Sequence, residues 1–110
     1  MAYSIFQMID ETKSAHKPVL IDFYADWCMP CQTMEPVLNA LQARMKEVVE
    51  IIRINVDQYP KAPIAYKVIS LPTFLLLING REVWRKGGLI PRRDLEEMIL
   101  SAIKQAHPES

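Results

Sequence analysis

Apolar and polar positions change period several times along the chain, and each change marks an element. Ile5, Phe6 and Ile9 recur at helical spacing with Asp10, Glu11 and Lys13 opposite, which predicts a short amphipathic helix over 4–14. After Pro18 the run Val19-Leu20-Ile21-Asp22-Phe23-Tyr24-Ala25 is short, nearly continuous and rich in strand formers, as a strand buried on both faces should be. Asp22 interrupts that run and has to be accounted for. From Cys28 to about Lys46 the apolar positions Cys31, Met34, Val37, Leu38, Leu41 and Met45 form one buried helical stripe. Pro30 falls in its first turn, where a missing N–H costs little, and Pro36 falls inside, where a kink is expected.

The period then returns to two. Val48 to Val56 reads as a second strand with Ile52, Ile54 and Val56 on one face. Asp57 is placed to cap a short helix over Pro60 to Tyr66. Thr73 to Ile78 is a third, almost wholly apolar strand, and Asn79-Gly80 is a strong hairpin signal. Arg81 to Lys86 returns antiparallel, with charges suited to a sheet edge, and Gly87-Gly88 ends it. Leu95, Met98, Ile99, Ala102, Ile103 and Ala106 mark a closing helix, with Glu96 and Glu97 toward its positive end. The order α-β-α-β-α-β-β-α predicts an α/β fold: a parallel strand pair joined by a crossover, plus a terminal antiparallel hairpin, hence a mixed sheet.

Composition narrows the function classes. A chain of 110 residues, half of them hydrophobic, suits a single domain over 1–110 with a real core. Thirteen basic and 13 acidic residues balance, whereas a phosphate-neutralising nucleic-acid binder shows a basic excess. No apolar run approaches the roughly 20 residues of a membrane helix. Met1 to Glu11 lacks the basic and continuous apolar regions of a signal peptide, so the expected compartment is the cytoplasm; a periplasmic chain trimmed of its leader would read the same. A cluster of Arg81, Arg85, Lys86, Arg92 and Arg93 reads as a solvated face, with an acidic partner surface as the sharper option.

The candidate chemistry lies in Cys28-Met29-Pro30-Cys31, which follows a buried strand and opens a helix. One helical turn brings residues i and i+3 side by side, so the sulfurs can bond with little backbone movement. Free N–H groups at a helix start stabilise a thiolate, which makes Cys28 the expected nucleophile and Cys31 the resolving thiol. Other readings stay open on spacing alone. A structural zinc site needs about four ligands, and only His16 and His107 remain, without finger-like spacing. A purely structural disulfide across so short a loop removes little unfolded-state entropy, and inert buried thiols are ordinary. The strand–CxxC–helix context is what favours redox chemistry.

Asp22-Phe23-Tyr24-Ala25-Asp26-Trp27-Cys28-Met29-Pro30-Cys31 resembles the signature of the thioredoxin family, D-F-W-A-x-W-C-G-P-C. The resemblance continues through Pro36, Asn55-Val56-Asp57, Ala65-Tyr66, Val68, Leu71-Pro72-Thr73-Phe74, Asn79-Gly80 and Gly88, over about Pro18 to Ile103. It implies a thioredoxin fold, with a mixed sheet of four central strands, a fifth frayed or absent, and helices on both faces. It implies that Asp22 is the buried carboxylate beneath the cysteines, its pKa raised by desolvation, exchanging a proton with Cys31. A surface Asp at a strand end is the plainer alternative. Arg53 stands where the family often has a lysine near that carboxylate; otherwise it is a solvated strand residue. Pro72 resembles the family's cis-proline, against an ordinary strand-start proline. That geometry would free the Leu71 backbone to pair with an extended substrate peptide. Trp27, Met29, Pro30, Leu71, Gly88 and Leu89 resemble the apolar docking surface around the cysteines rather than scattered exposed residues.

The sequence departs from the family at Met29 for a glycine, Tyr24 for a tryptophan, Gln32 for a lysine and Ser70 at a glycine-like position. Met29 bears on reduction potential, substrate range and recognition by a reductase, and the lost charge at Gln32 weakens thiolate stabilisation slightly. The expected function is protein-disulfide reductase: a small monomeric dithiol carrier needing no cofactor or metal, with disulfide-containing proteins as substrates and a thioredoxin reductase or other electron donor. The competing readings are an oxidase or isomerase of the same fold, and a binding module without redox turnover.

Overall fold

The computed structural model describes residues 17–107. The helix expected over 4–14 lies outside them. The order within them is β1 (Val19–Tyr24), α1 (Met29–Met45), β2 (Glu50–Asn55), α2 (Lys61–Ala65), β3 (Thr73–Ile78), β4 (Arg81–Gly87) and α3 (Arg92–Ala106). The four strands form one sheet ordered β2-β1-β3-β4, in which β1 is parallel to β2 and antiparallel to β3, and β3 is antiparallel to β4. The mixed four-stranded sheet is the expected one.

Strand alternation sorts the core onto two faces. Leu20, Phe74, Leu76 and Ile78 pack with Met34, Leu38, Leu41 and Met45 of α1 and Leu95 and Ile99 of α3. Val19, Ile21, Phe23, Leu75 and Leu77 pack on the other side with Ile52, Ile54 and Ala62 of α2. Both faces of β1 and β3 are therefore covered, which explains why their sequences read as continuous apolar runs. By position Asp22 falls on the same face as Leu20, the side occupied by α1.

The turns follow their local chemistry. Asn79 and Gly80 have φ of 52° and 78°, as a two-residue hairpin requires at both positions. In β4 the register skips from Trp84 opposite Leu76 to Glu82 opposite Leu77, leaving Val83 as an extra residue. That bulge and the exposed charges of β4 suit an edge strand.

Two expectations are corrected at this level. The second strand is shorter than Val48–Val56, because Val48 and Val49 donate to the Met45 carbonyl and finish the turn after α1. The short helix is Lys61–Ala65, and Pro60 rather than Asp57 precedes it, with no side-chain cap. The basic cluster is the solvated face expected, with Arg81, Arg85, Lys86 and Arg93 exposed and Arg92 half-buried; within it Arg85 binds Glu82 and the Tyr66 and Lys67 carbonyls, and Arg92 binds Glu96. Pro36 sits inside α1, which continues through it as one element.

Candidate active site

β1 ends at Tyr24, and after four intervening residues the chain enters α1 at Met29. Cys28 is the N-cap, and its Sγ accepts a hydrogen bond from the Cys31 backbone N–H at 3.2 Å. A sulfur thus takes the place that an oxygen usually fills at a helix start. Pro30 lies in the first turn, where no intrahelical donor is lost. Cys28 and Cys31 form a disulfide with a Cα–Cα distance of 5.2 Å. Both are 5 % exposed and pack with Ala25 against Tyr24, Val56 and Leu71. Leu71 therefore meets the cysteines, as expected.

The Leu71–Pro72 peptide bond is cis, as the resemblance implies. The Pro72 carbonyl accepts from the Gly88 N–H at 3.0 Å. Two residues on, the Ile90 N–H donates to Met34 Sδ at 3.4 Å. Those two bonds hold Gly88 and Leu89 between the cis-proline loop and the first turns of α1. Gly88 has φ of 88°, which favours glycine. A Cβ at neighbouring Gly87, the last residue of β4, would stand 3.1 Å from the Pro72 carbonyl oxygen, a tight contact that a larger residue could make only if that carbonyl shifted by a few tenths of an ångström.

Around the disulfide, Trp27 and Met29 are each 69 % exposed and Leu89 is 61 % exposed, with Pro30 also exposed and Leu71 and Gly88 half-buried. Large apolar groups thus surround sulfurs that are themselves almost covered.

Asp22 is 2 % exposed, so it is not a surface aspartate. It pairs across the sheet with Arg53, whose Nε donates to Asp22 Oδ2 at 3.4 Å while its guanidinium lies 5.3 Å from the centre of the Tyr24 ring. Arg53 is thus a partner of the buried carboxylate rather than a solvated strand residue. Asp22 Oδ1 has no hydrogen-bond partner. Burial pushes the Asp22 pKa from 3.8 up to about 6, against the opposing charge and hydrogen bond of Arg53. A pocket of about 350 Å³ is lined by Cys31, Arg53, Tyr24, Ala25, Asp26, Gln32 and Glu35. Cys31 and the arginine that binds Asp22 therefore open onto one space.

The contacts of three polar residues at this end, Asp26, Asn55 and Asp57, escaped the sequence reading. Asn55, buried at the end of β2, accepts at Oδ1 from the backbone N–H groups of Asp57 and Gln58, at 2.9 and 3.3 Å. Its Nδ2 donates to Asp26 Oδ1 at 3.4 Å. Asp57, freed from the capping role expected of it, accepts at Oδ2 from Trp27 Nε1 at 2.9 Å. Asn55 and Asp57 thereby tie the loop after β2 to the loop that carries Trp27. The signal was a local one: Asn two residues before Asp at a strand end is the pattern of a side chain closing its own turn. The Trp27 contact joins residues 30 apart, which no local pattern shows.

With this geometry in place, comparison with known proteins is direct. The family model described as Thioredoxin matches residues 6–101. Chloroplastic thioredoxin Y2 of Arabidopsis thaliana is 37% identical over 95 residues, covering 86% of this chain and 57% of that protein. Thioredoxin 1 of Chlorobaculum tepidum is 35% identical, covering 86% of this chain and 93% of that protein. The chain spans about three-fifths of the length of the chloroplastic relatives it matches. Among solved structures, a thioredoxin from Nicotiana alata superposes with a TM-score of 0.80 at 38% identity, covering 88% of this chain and 84% of that one. A thioredoxin from Fasciola hepatica gives 0.78 at 34% identity, over 89% and 90%.

Proposed function

The chain belongs to the thioredoxin family, and on that premise we propose that it is a thiol–disulfide oxidoreductase working as a protein-disulfide reductase. The observation that carries the reading is the disulfide at the start of α1, ringed by exposed apolar groups and backed by a buried carboxylate.

In the reduced form the Cys28 thiolate is stabilised by the helix start and by the Cys31 N–H that its sulfur already accepts. It attacks one sulfur of a substrate disulfide. A Cys28–substrate bond forms, the substrate S–S bond breaks, and the departing thiolate takes up a proton. Cys31 then attacks Cys28 Sγ, the mixed disulfide breaks, and the second substrate thiol leaves. Two electrons pass to the substrate, and the protein ends in the disulfide state described above. For the second step Cys31 must lose its proton. Asp22, with a pKa near 6, is a base at neutral pH, and the pocket that Cys31 shares with Arg53 offers a route through water.

Trp27, Met29, Pro30, Leu71, Gly88 and Leu89 dock the substrate chain, with the Leu71 backbone beside Pro72 pairing to an extended segment. The substrates are disulfide-containing proteins, and a reductase or another donor returns the dithiol. No helix among the described residues is long and apolar enough to cross a membrane. The protein acts as one domain and as a monomer, its charged and bulged β4 edge discouraging strand pairing, in a compartment that keeps thiols reduced, as the cytoplasm does.

The test is reduction of insulin disulfides by the dithiothreitol-reduced protein, followed by turbidity. Wild type is expected to catalyse it and Cys28→Ser to be inert; equal activity in Cys28→Ser would favour the binding-module reading. Equilibration against defined dithiol buffers then fixes the direction of electron flow. A potential as oxidising as about −120 mV would favour the oxidase reading, since about 30 mV corresponds to about 1.4 kcal/mol for this couple.

A further inference from the structure

Met29 is the described methionine whose surroundings differ most from a core site. Met34 is 2 % and Met45 6 % exposed, and Met98 packs partly buried against the same core. Met29, at 69 %, projects from the first helical position of α1, between the two bonded cysteines. Its backbone is held in the helix, where its carbonyl accepts from Thr33 Oγ1 at 3.2 Å. The thioether therefore stands in solvent on a fixed base, while the flanking sulfurs are tied to each other and nearly covered.

We propose that Met29 is a modification site for hydroperoxides, and that its oxidation reversibly weakens docking of protein substrates without touching the dithiol. The thioether sulfur attacks the terminal peroxide oxygen. The O–O bond breaks, an S–O bond forms, sulfur is oxidised to the sulfoxide, and the peroxide leaves as water or alcohol. The change turns a flexible apolar group into a polar one carrying a strong acceptor. That group stands exposed near Trp27 and Pro30, which are exposed too, where a substrate would have to desolvate it without a donor in return.

The timing is set by the disulfide state. A free thiolate competes for peroxide, but a bonded pair does not, so Met29 registers oxidant when the cysteines can no longer do so. Once the disulfide is reduced again, the sulfoxide persists until a methionine sulfoxide reductase removes it. The substrate effect rests on the reductase reading; the site of oxidation does not.

The experiment treats the disulfide form with hydrogen peroxide, removes the peroxide, reduces with dithiothreitol and compares two substrates. Peptide mass mapping should place the added oxygen on Met29 well before Met34, Met45 or Met98. Treated wild type should reduce insulin about fivefold more slowly, the loss of one docking contact, while reducing a small aromatic disulfide at its former rate. Met29→Leu should lose none of its own untreated insulin activity on treatment, Met29→Gln should be slow without it, and a sulfoxide reductase should restore treated wild type. Oxygen appearing first on the core methionines would overturn the site assignment. Unchanged insulin reduction by protein oxidised at Met29, or an equal loss in treated Met29→Leu, would overturn the docking role. Untreated wild type that reduces no disulfide would instead defeat the reductase reading and leave the mapping result standing.

Discussion

An arginine meets a carboxylate near each end of α1, from α1 itself at the far end and across β1 and β2 at the near end, with opposite results. At the far end Glu96 takes Arg44 Nε on one oxygen and Arg92 Nη1 on the other, both at 2.6 Å. The Arg44 hydrogen bond is the largest influence there, and Glu96 is held below the usual carboxylate range. At the near end Asp22 has Arg53 at 3.4 Å on one oxygen and nothing on the other. There burial outweighs the arginine, and the pKa climbs to about 6. A carboxylate with both oxygens bonded is a structural clamp between helices. A buried one left half-satisfied costs stability, and its pKa moves toward neutral pH, which is what the proposed proton transfer needs.

The strongest way to break this contrast is at the sulfurs beside the near end. Cys31→Ser should lower insulin reduction to the uncatalysed background and leave Cys28 in a mixed disulfide, visible as a higher-mass species on non-reducing gels. Failure to trap any such species would argue against exchange at Cys28.

Next in size is Asp22→Asn. Reduction at pH 7 should slow by about a hundredfold if the carboxylate is the base for Cys31, while stability should rise. Asp22 holds its proton more tightly folded than unfolded between pH 3.8 and about 6. Wild-type stability therefore falls as pH rises through that window, by about 3 kcal/mol at most, and stays lower above it. Urea unfolding should show Asp22→Asn more stable by about 1–3 kcal/mol at pH 8 and little changed at pH 4. An equal gain at both pH values would mean that charge is not the cause.

Arg53→Met sharpens the comparison more gently. It removes both influences that lower the Asp22 pKa, so a carboxyl-carbon NMR titration should place it above its wild-type value, with the activity profile moving the same way. A downward shift would show that Arg53 does not act on Asp22 by charge.

The smallest effect belongs to the far end. Glu96→Gln should lower thermal stability slightly, in a way that added salt reduces in the wild type, and leave insulin reduction unchanged. A loss of activity would mean that the two ends of α1 are coupled.

How far the sequence was legible depended on range. The strands β1 and β3, the Asn79-Gly80 turn and the stripe of α1 rest on neighbours a few residues apart, and their bounds were read closely. The Cys28-Met29-Pro30-Cys31 motif was equally plain, because a helix start and an i, i+3 spacing are local facts. Asp57 was misread for the same reason: a capping residue was sought just ahead of a helix, and the partner that claimed it was Trp27, 30 residues earlier. The basic cluster was read correctly as a solvated face, but not its partners, since Arg85 reaches carbonyls 18 and 19 residues away.

By itself, then, the sequence determined the period of each element, the mixed sheet, the reactive pair and, through its resemblance, the family. Only the tertiary structure decided what surrounds each polar group. It left Asp22 Oδ1 without a partner, set Arg53 against Tyr24, joined Asn55 to Asp26 and left Met29 in solvent between two covered sulfurs. Secondary structure follows from short-range sterics and hydrophobic period. Burial, pKa and exposure follow from which distant segments are packed together, and that is settled only when the sheet closes.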